Sequence, residues 1–225
     1  MADVDFVIES VAENLDIKKS VWAEVEHAAP KDAILSTNTS GLSPTALQSV
    51  LKKPERFVVA HFWNPAQLMP LVEVVPGEKT DPKVVDITFD LMAKIGKKPA
   101  KIKKESLGFV GNRLQLAVLR EAFYIVQQGI ADAATVDDVM KYSLGRRWNL
   151  VGPLASIDLG GSMCSITSAL TCSTIWTTAP ARARCSPRRS GKAISAPKPA
   201  RASSPGRART ASASSNPATR PCCAR

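Results

Sequence analysis

Apolar and polar positions change rhythm several times along this chain, and each change marks a predicted element. Asp5-Phe-Val-Ile8 is a short apolar run that predicts a buried strand. Residues 13–28 follow with Leu15, Ile17, Val21, Trp22 and Val25 at helical spacing, closed by Pro30 and Lys31-Asp32. Ala33-Ile-Leu35 predicts a second buried strand, ending in the polar loop Ser36-Thr-Asn-Thr-Ser40-Gly41. Ser43-Pro44 opens a short helix, with the serine as N-cap and the proline in the first turn. Phe57-Val-Val-Ala60 and Leu71-Val-Glu-Val-Val75 are strands. Pro82 begins a helix that runs to about Ile95, with Gly96 at its C-terminal end, and Lys98 to Lys103 is a last strand.

This β–α alternation predicts an α/β fold, a partial doubly wound (Rossmann-like) sheet over residues 1–103. From Gly108 the pattern turns helical. Phe109, Val110, Leu114, Leu116, Ala117, Leu119, Phe123 and Val126 predict a long helix ending near Gly129. A second helix is expected over Thr135 to Lys141, with Thr135 as N-cap and Asp137-Asp138 in its first turn. Residues 104–160 thus read as the start of an all-helical domain. Residues 161–225 show neither rhythm.

Charge separates the same regions. The whole chain carries +10, which alone would suggest an anionic partner. Yet Asp158 is the last acid, and the 11 basic residues after Gly161 account for the excess, leaving a net of −1 before it. The tail lacks Phe and Tyr and is rich in Ser, Ala, Arg, Thr and Pro, so it reads as a disordered basic segment that cannot bury enough apolar surface to offset its ordering entropy. No aromatic residues interleave with its arginines as base-stacking platforms, so no nucleic-acid partner is expected. All five cysteines lie there, at no metal-ligand spacing, and no metal is expected. Reading Met163-Cys164 one base earlier gives Val, and Trp176-Thr177 gives Asp. A frame slip near Gly161 is therefore the expected origin of the tail. No apolar run approaches the roughly 18 residues of a membrane helix, and the acidic N-terminus has no signal-peptide pattern. No membrane partner and a cytoplasmic location are the expectations.

The chemistry concentrates in residues 36–77. Glu73 is the twelfth residue after His61, and two strands folding back through Asn64-Pro65 can set a carboxylate beside an imidazole. Such a pair suits general-base work: histidine titrates near neutrality, and a carboxylate behind it fixes the tautomer and stabilises the imidazolium. Glu73 stands between Val72 and Val74, where an unpaired charge is costly. The residues alone are equally compatible with a core histidine and a strand-edge glutamate that never meet.

Five segments carry a resemblance. Ile8-Glu-Ser-Val-Ala-Glu-Asn-Leu15, Ser36-Thr-Asn-Thr-Ser40, His61-Phe-Trp-Asn-Pro65, Leu71-Val-Glu-Val-Val75 and Gly108-Phe-Val-Gly-Asn-Arg113 occur in the order and spacing of the 3-hydroxyacyl-CoA dehydrogenases. The chain resembles that family from about residue 3 to 160. The resemblance implies NAD as cofactor, a 3-hydroxyacyl-CoA substrate in fatty-acid metabolism, and a homodimer for the intact protein. It also implies His61 as general base, Glu73 as its orienting carboxylate, Ser40 and Asn112 as substrate-binding residues, Asn64 as support for the His61 loop, and Glu13 beside the nicotinamide end of the cofactor. Read without it, Ser40 is a turn or cap residue, Asn112 a helix-start residue and Glu13 an N-terminal helix charge. L-gulonate or carnitine dehydrogenase activity, or a non-catalytic, crystallin-like role, are the alternatives within the family. The family's glycine-rich G-x-G-x-x-G loop is absent; Gly41 is the first glycine. The expectation is therefore a truncated chain that binds NAD poorly and is inactive alone.

Overall fold

In the computed structural model, residues 3–159 are described, within one compact unit spanning Met1–Ser162. The expectations for the tail and its cysteines lie outside the described residues. The elements run β1 (Phe6–Glu9), α1 (Leu15–Ala28), β2 (Ile34–Thr37), α2 (Pro44–Gln48), β3 (Phe57–Phe62), β4 (Leu71–Pro76), α3 (Pro82–Lys94), β5 (Lys98–Lys101), α4 (Gly111–Gln127), α5 (Ala133–Tyr142), α6 (Leu144–Trp148) and α7 (Pro153–Leu159), with a 3-10 turn at Pro54–Arg56. The strands form one sheet in the order β1-β2-β3-β4-β5. All neighbours are parallel except β3 and β4, which are antiparallel. The architecture is the expected α/β one.

Side chains alternate across a strand, so each strand feeds both faces of the sheet. Val7, Leu35 and Phe57 face α1 and α2, packing with Leu15, Trp22, Val25, Leu47 and Leu51. Phe6, Ile34, Val58 and Val74 face α3 through Val84 and Val85. Ala60 and Val72 meet Leu91 and Met92 of the same helix. Helices therefore cover both faces, which is why the central strands β3 and β4 are mostly apolar. Trp22 is fully buried, edge-on to Phe57 with ring centroids 5.1 Å apart.

The caps explain where the helices begin. Asn14 accepts from the backbone N–H groups of Asp16 and Ile17, so α1 starts at Leu15, its first apolar position, two residues into the expected 13–28 span. Ser43 caps α2 through the Ala46 N–H, as expected. Asp132, not Thr135, caps α5: its carboxylate accepts from the Thr135 N–H at 2.7 Å, and Asp137 and Asp138 lie beyond the first turn. Gly96 and Gly129 take φ of +85° and +67° just past α3 and α4, a conformation that only glycine adopts without steric cost.

α1 also buries a charge. Lys18 lies on its inward face, fully buried, and its ammonium reaches Glu9 Oε1 at 2.7 Å and the Val11 carbonyl at 3.2 Å. Glu9 accepts from the Thr37 hydroxyl at 2.6 Å through its other oxygen. The pair ties β1, β2 and α1 together at the carboxyl end of the parallel strands.

Trp22→Ala removes the largest side chain of the α1–α2 core. Urea unfolding should show a loss of about 3–5 kcal/mol with little change in m-value.

Candidate active site

The antiparallel register of β3 and β4 sets His61 directly opposite Glu73. Both side chains emerge on the same sheet face as Val59 and Val75, which pack with Phe109. His61 Nδ1 lies 2.9 Å from Glu73 Oε2, and both residues are buried, at 5% and 2% exposure. A carboxylate only accepts, so Nδ1 carries the proton in this contact, and in the neutral imidazole the lone pair then lies on Nε2. The imidazole is flanked by Phe109 and Trp63, with ring centroids at 5.6 and 5.8 Å.

Glu73 is satisfied on both oxygens. The Val110 and Gly111 amides, at the start of α4, donate to Oε1 at 3.1 and 3.0 Å. The Trp63 indole donates to Oε2 at 3.3 Å, beside His61. Burial pushes the Glu73 carboxyl up, but the bonds from His61, Gly111, Val110 and Trp63 together outweigh it, and the net shift is downward from the ordinary 4.5. The start of α4 is held by a tight turn, with Gly108 at φ +74° and Phe109 at φ +48°. Positive φ is strained for a residue as bulky as phenylalanine. It sets the Phe109 side chain against His61 and turns the next two amides onto Glu73.

The remaining expected residues gather around the Ser36–Gly41 loop. Asn112 Nδ2 donates to the Ser40 carbonyl at 2.7 Å, joining the two expected substrate-binding residues directly. Glu13 lies between β1 and α1 and gathers the loop through one oxygen: Oε1 accepts from the Thr39 hydroxyl at 2.6 Å, the Ser40 N–H at 2.8 Å and the Gly41 N–H at 3.2 Å. Its other oxygen is 3.6 Å from Lys18 Nζ. Asn64 is exposed and precedes the cis peptide bond to Pro65 in the β3–β4 connection. Asn38 accepts from the Phe62 N–H at 2.8 Å, tying the end of β3 to the same loop. Sequence reasoning did not single out Trp63, Phe109 or Lys18. For Trp63 a signal existed: it stands two residues after His61, at the spacing that returns to the same face of an extended chain.

The residues fit the reacting end of a dinucleotide better than its pyrophosphate end. A pyrophosphate needs free amides at a helix N-terminus, usually behind a glycine-rich turn. Asn14 closes the N-terminus of α1, Asp16 adds a negative charge there, and the β1–α1 turn contains no glycine. Among the described residues no group of His, Cys, Asp or Glu is arranged to hold a metal, and no helix is long and apolar enough to cross a membrane.

A mostly parallel sheet with helices on both faces, bearing a buried histidine–carboxylate pair at its strand ends, defines a dehydrogenase-like α/β protein. The chain belongs to the 3-hydroxyacyl-CoA dehydrogenase family: residues 1–106 match its NAD binding domain and residues 108–174 its C-terminal domain. It is 46% identical over 153 residues to L-carnitine dehydrogenase of Mesorhizobium japonicum, a match covering 68% of this chain and 42% of that protein. The structure is similar to that of 5-formyl-3-hydroxy-2-methylpyridine 4-carboxylic acid 5-dehydrogenase, an NAD+ dependent dismutase, with a TM-score of 0.71 and 37% identity over 75% of this chain and 55% of that one. It is similar also to a 3-hydroxyacyl-CoA dehydrogenase of Archaeoglobus fulgidus, with a TM-score of 0.63 and 37% identity over 69% of this chain and 53% of that one. The chain spans about half or less of the length of the curated relatives it matches.

Because the folded Glu73 carboxyl titrates below 4.5, the stability it contributes is fully present above that pH and is lost as pH falls through the lowered value. Glu73→Gln should be less stable than the parent chain at pH 7, and the gap should narrow under acid. Urea midpoints that differ equally at both ends of the range would contradict this.

Proposed function

We propose that this chain carries the proton-handling part of an NAD-dependent dehydrogenase site. The observation that supports it is the buried His61–Glu73 pair, with its free Nε2, on the sheet edge that also holds Ser40 and Asn112. His61 Nε2 takes the proton of a substrate's secondary hydroxyl as that alcohol becomes a ketone, and returns it in the reverse direction. Glu73 holds the tautomer and stabilises the imidazolium that results. Ser40 and Asn112 bind substrate oxygens, Asn64 supports the loop after β3, and Glu13 keeps the Thr39–Gly41 segment in place at the nicotinamide end. NAD, when bound, supplies the hydride acceptor.

The substrate class that the family suggests is a 3-hydroxyacyl-CoA, within fatty-acid metabolism. A carnitine-type 3-hydroxy acid is the second reading, favoured by the 46% identity to an L-carnitine dehydrogenase. Both offer the same reacting group, a secondary hydroxyl on the carbon β to an acyl carbon. The location proposed is cytoplasmic. The assembly proposed for the intact protein is a homodimer, supported by exposed apolar residues on the helices after β5, among them Leu114, Leu116, Phe123 and Val139.

Two measurements test this reading. NADH titrated into the chain as it stands should show no tight, saturable binding, because among the described residues no glycine-rich loop precedes a helix. When a glycine-rich strand–loop–helix unit is joined ahead of β1, NADH formation should appear with L-carnitine or 3-hydroxybutyryl-CoA. His61→Gln should then lower kcat by about 10²–10⁴-fold with NADH binding unchanged. Full activity in that variant would rule out His61 as the base.

A further inference from the structure

Glu73 Oε2 receives two side-chain donors, and only one belongs to the proton-transfer pair. The other is the indole of Trp63, 3.3 Å away. A second and independent observation fixes that ring. A Cβ added at Gly111 would lie 2.1 Å from Trp63 Cζ2 and 3.0 Å from Cε2, so the indole lies flush against the first residue of α4, where only glycine leaves room. Trp63 is thus held from three sides: by Glu73 through its N–H, by Gly111 through its missing side chain, and by the imidazole of His61 at 5.8 Å, tilted 50°.

We propose that Trp63 is a positioning residue that tunes the His61–Glu73 pair by donating its indole N–H to the same carboxylate oxygen that faces His61. The proposal rests on the reading of His61 as the base. Its physical content is electrostatic. An N–H dipole on Oε2 draws off part of the carboxylate charge, and its positive end stands near the imidazolium when His61 takes up a proton. Both effects disfavour the charged imidazole and make His61 a weaker base than Glu73 alone would. A weaker base releases its proton more readily, which matters in a reaction that runs both ways near neutral pH. The groups around Glu73 are His61 from β3, Trp63 after it, and the Val110 and Gly111 amides of α4; Phe109 closes another side of the imidazole. Of these only His61 and Glu73 titrate. The downward shift of the Glu73 carboxyl, to which the Trp63 bond contributes, agrees with this arrangement.

The test is an NMR titration of the imidazole resonances in the full chain, which needs neither cofactor nor turnover. The chain has two histidines, and the exposed His27 serves as internal control. Trp63→Phe keeps an aromatic ring but loses the donor. The His61 midpoint should rise by on the order of half a pH unit, with His27 unmoved. Gly111→Ala leaves the tryptophan but displaces its ring, and should raise the midpoint in the same direction. In the W63F background, Gly111→Ala should add little, because the donor it displaces is already gone. Should Trp63→Phe fail to fold, Trp63→Leu, which also removes the donor and leaves the Gly111 amide on Glu73 untouched, carries the measurement. Glu73→Gln separates the two levels of the argument: it should lower the His61 midpoint. If Glu73→Gln leaves that midpoint unchanged, the pairing itself fails, and the role of Trp63 with it. If Glu73→Gln acts as expected but Trp63→Phe or Gly111→Ala leaves the midpoint unchanged or lowers it, the Trp63 proposal alone is overturned.

Discussion

A carboxylate in the middle of an apolar strand is tolerated only when donors reach it from outside that strand, and Glu73 meets this condition with four. His61 comes from the neighbouring strand, Trp63 from the connection between them, and two amides from the start of α4. Three different segments place these four donors. Satisfying this one charge therefore fixes the β3–β4 register, the path of the chain after Phe62, and the point where the first long helix meets the sheet. The turn at Gly108-Phe109 is the cost on the other side: a strained phenylalanine is accepted because it presents two successive amides to Oε1.

A second buried charge orders the other half of the site. Lys18 and Glu9 neutralise one another at the carboxyl ends of the parallel strands, and Thr37 completes the hydrogen bonding of Glu9. Glu13, close to Lys18, then collects the hydroxyl and amides of Thr39–Gly41. The loop bearing Ser40 is thus held from beneath by Glu13 and from above by Asn112. The two networks meet at that loop. One holds a buried imidazole against a carboxylate; the other fixes the backbone of the Thr39–Gly41 loop. Neither network offers the free helix N-terminus that a pyrophosphate needs: Asn14 already caps the start of α1.

Much of this was legible in the chain itself, because burial on both sheet faces leaves strong local marks. The apolar runs at 57–60 and 71–75, the Ser43-Pro44 helix start and the glycines after α3 and α4 declare themselves through patterns that depend on nearby residues. The start of α5 was misread because Asp132 and Thr135 are both good caps, and which one accepts the N–H is decided by where the chain turns after Gly129.

The sequence by itself determined the fold class, the run of elements as far as α5, and a histidine and glutamate twelve positions apart on strands able to fold back. It also supplied the resemblance that gave those residues roles. Only the tertiary structure decided that His61 and Glu73 are register partners, since a slip of one residue would have turned the glutamate to the α3 face. Only it brought Trp63, Val110 and Gly111 onto the same carboxylate, joining positions up to 38 residues apart. Strand and helix propensities are local; the partners of a buried charge are set by how distant segments pack, and no periodicity records them.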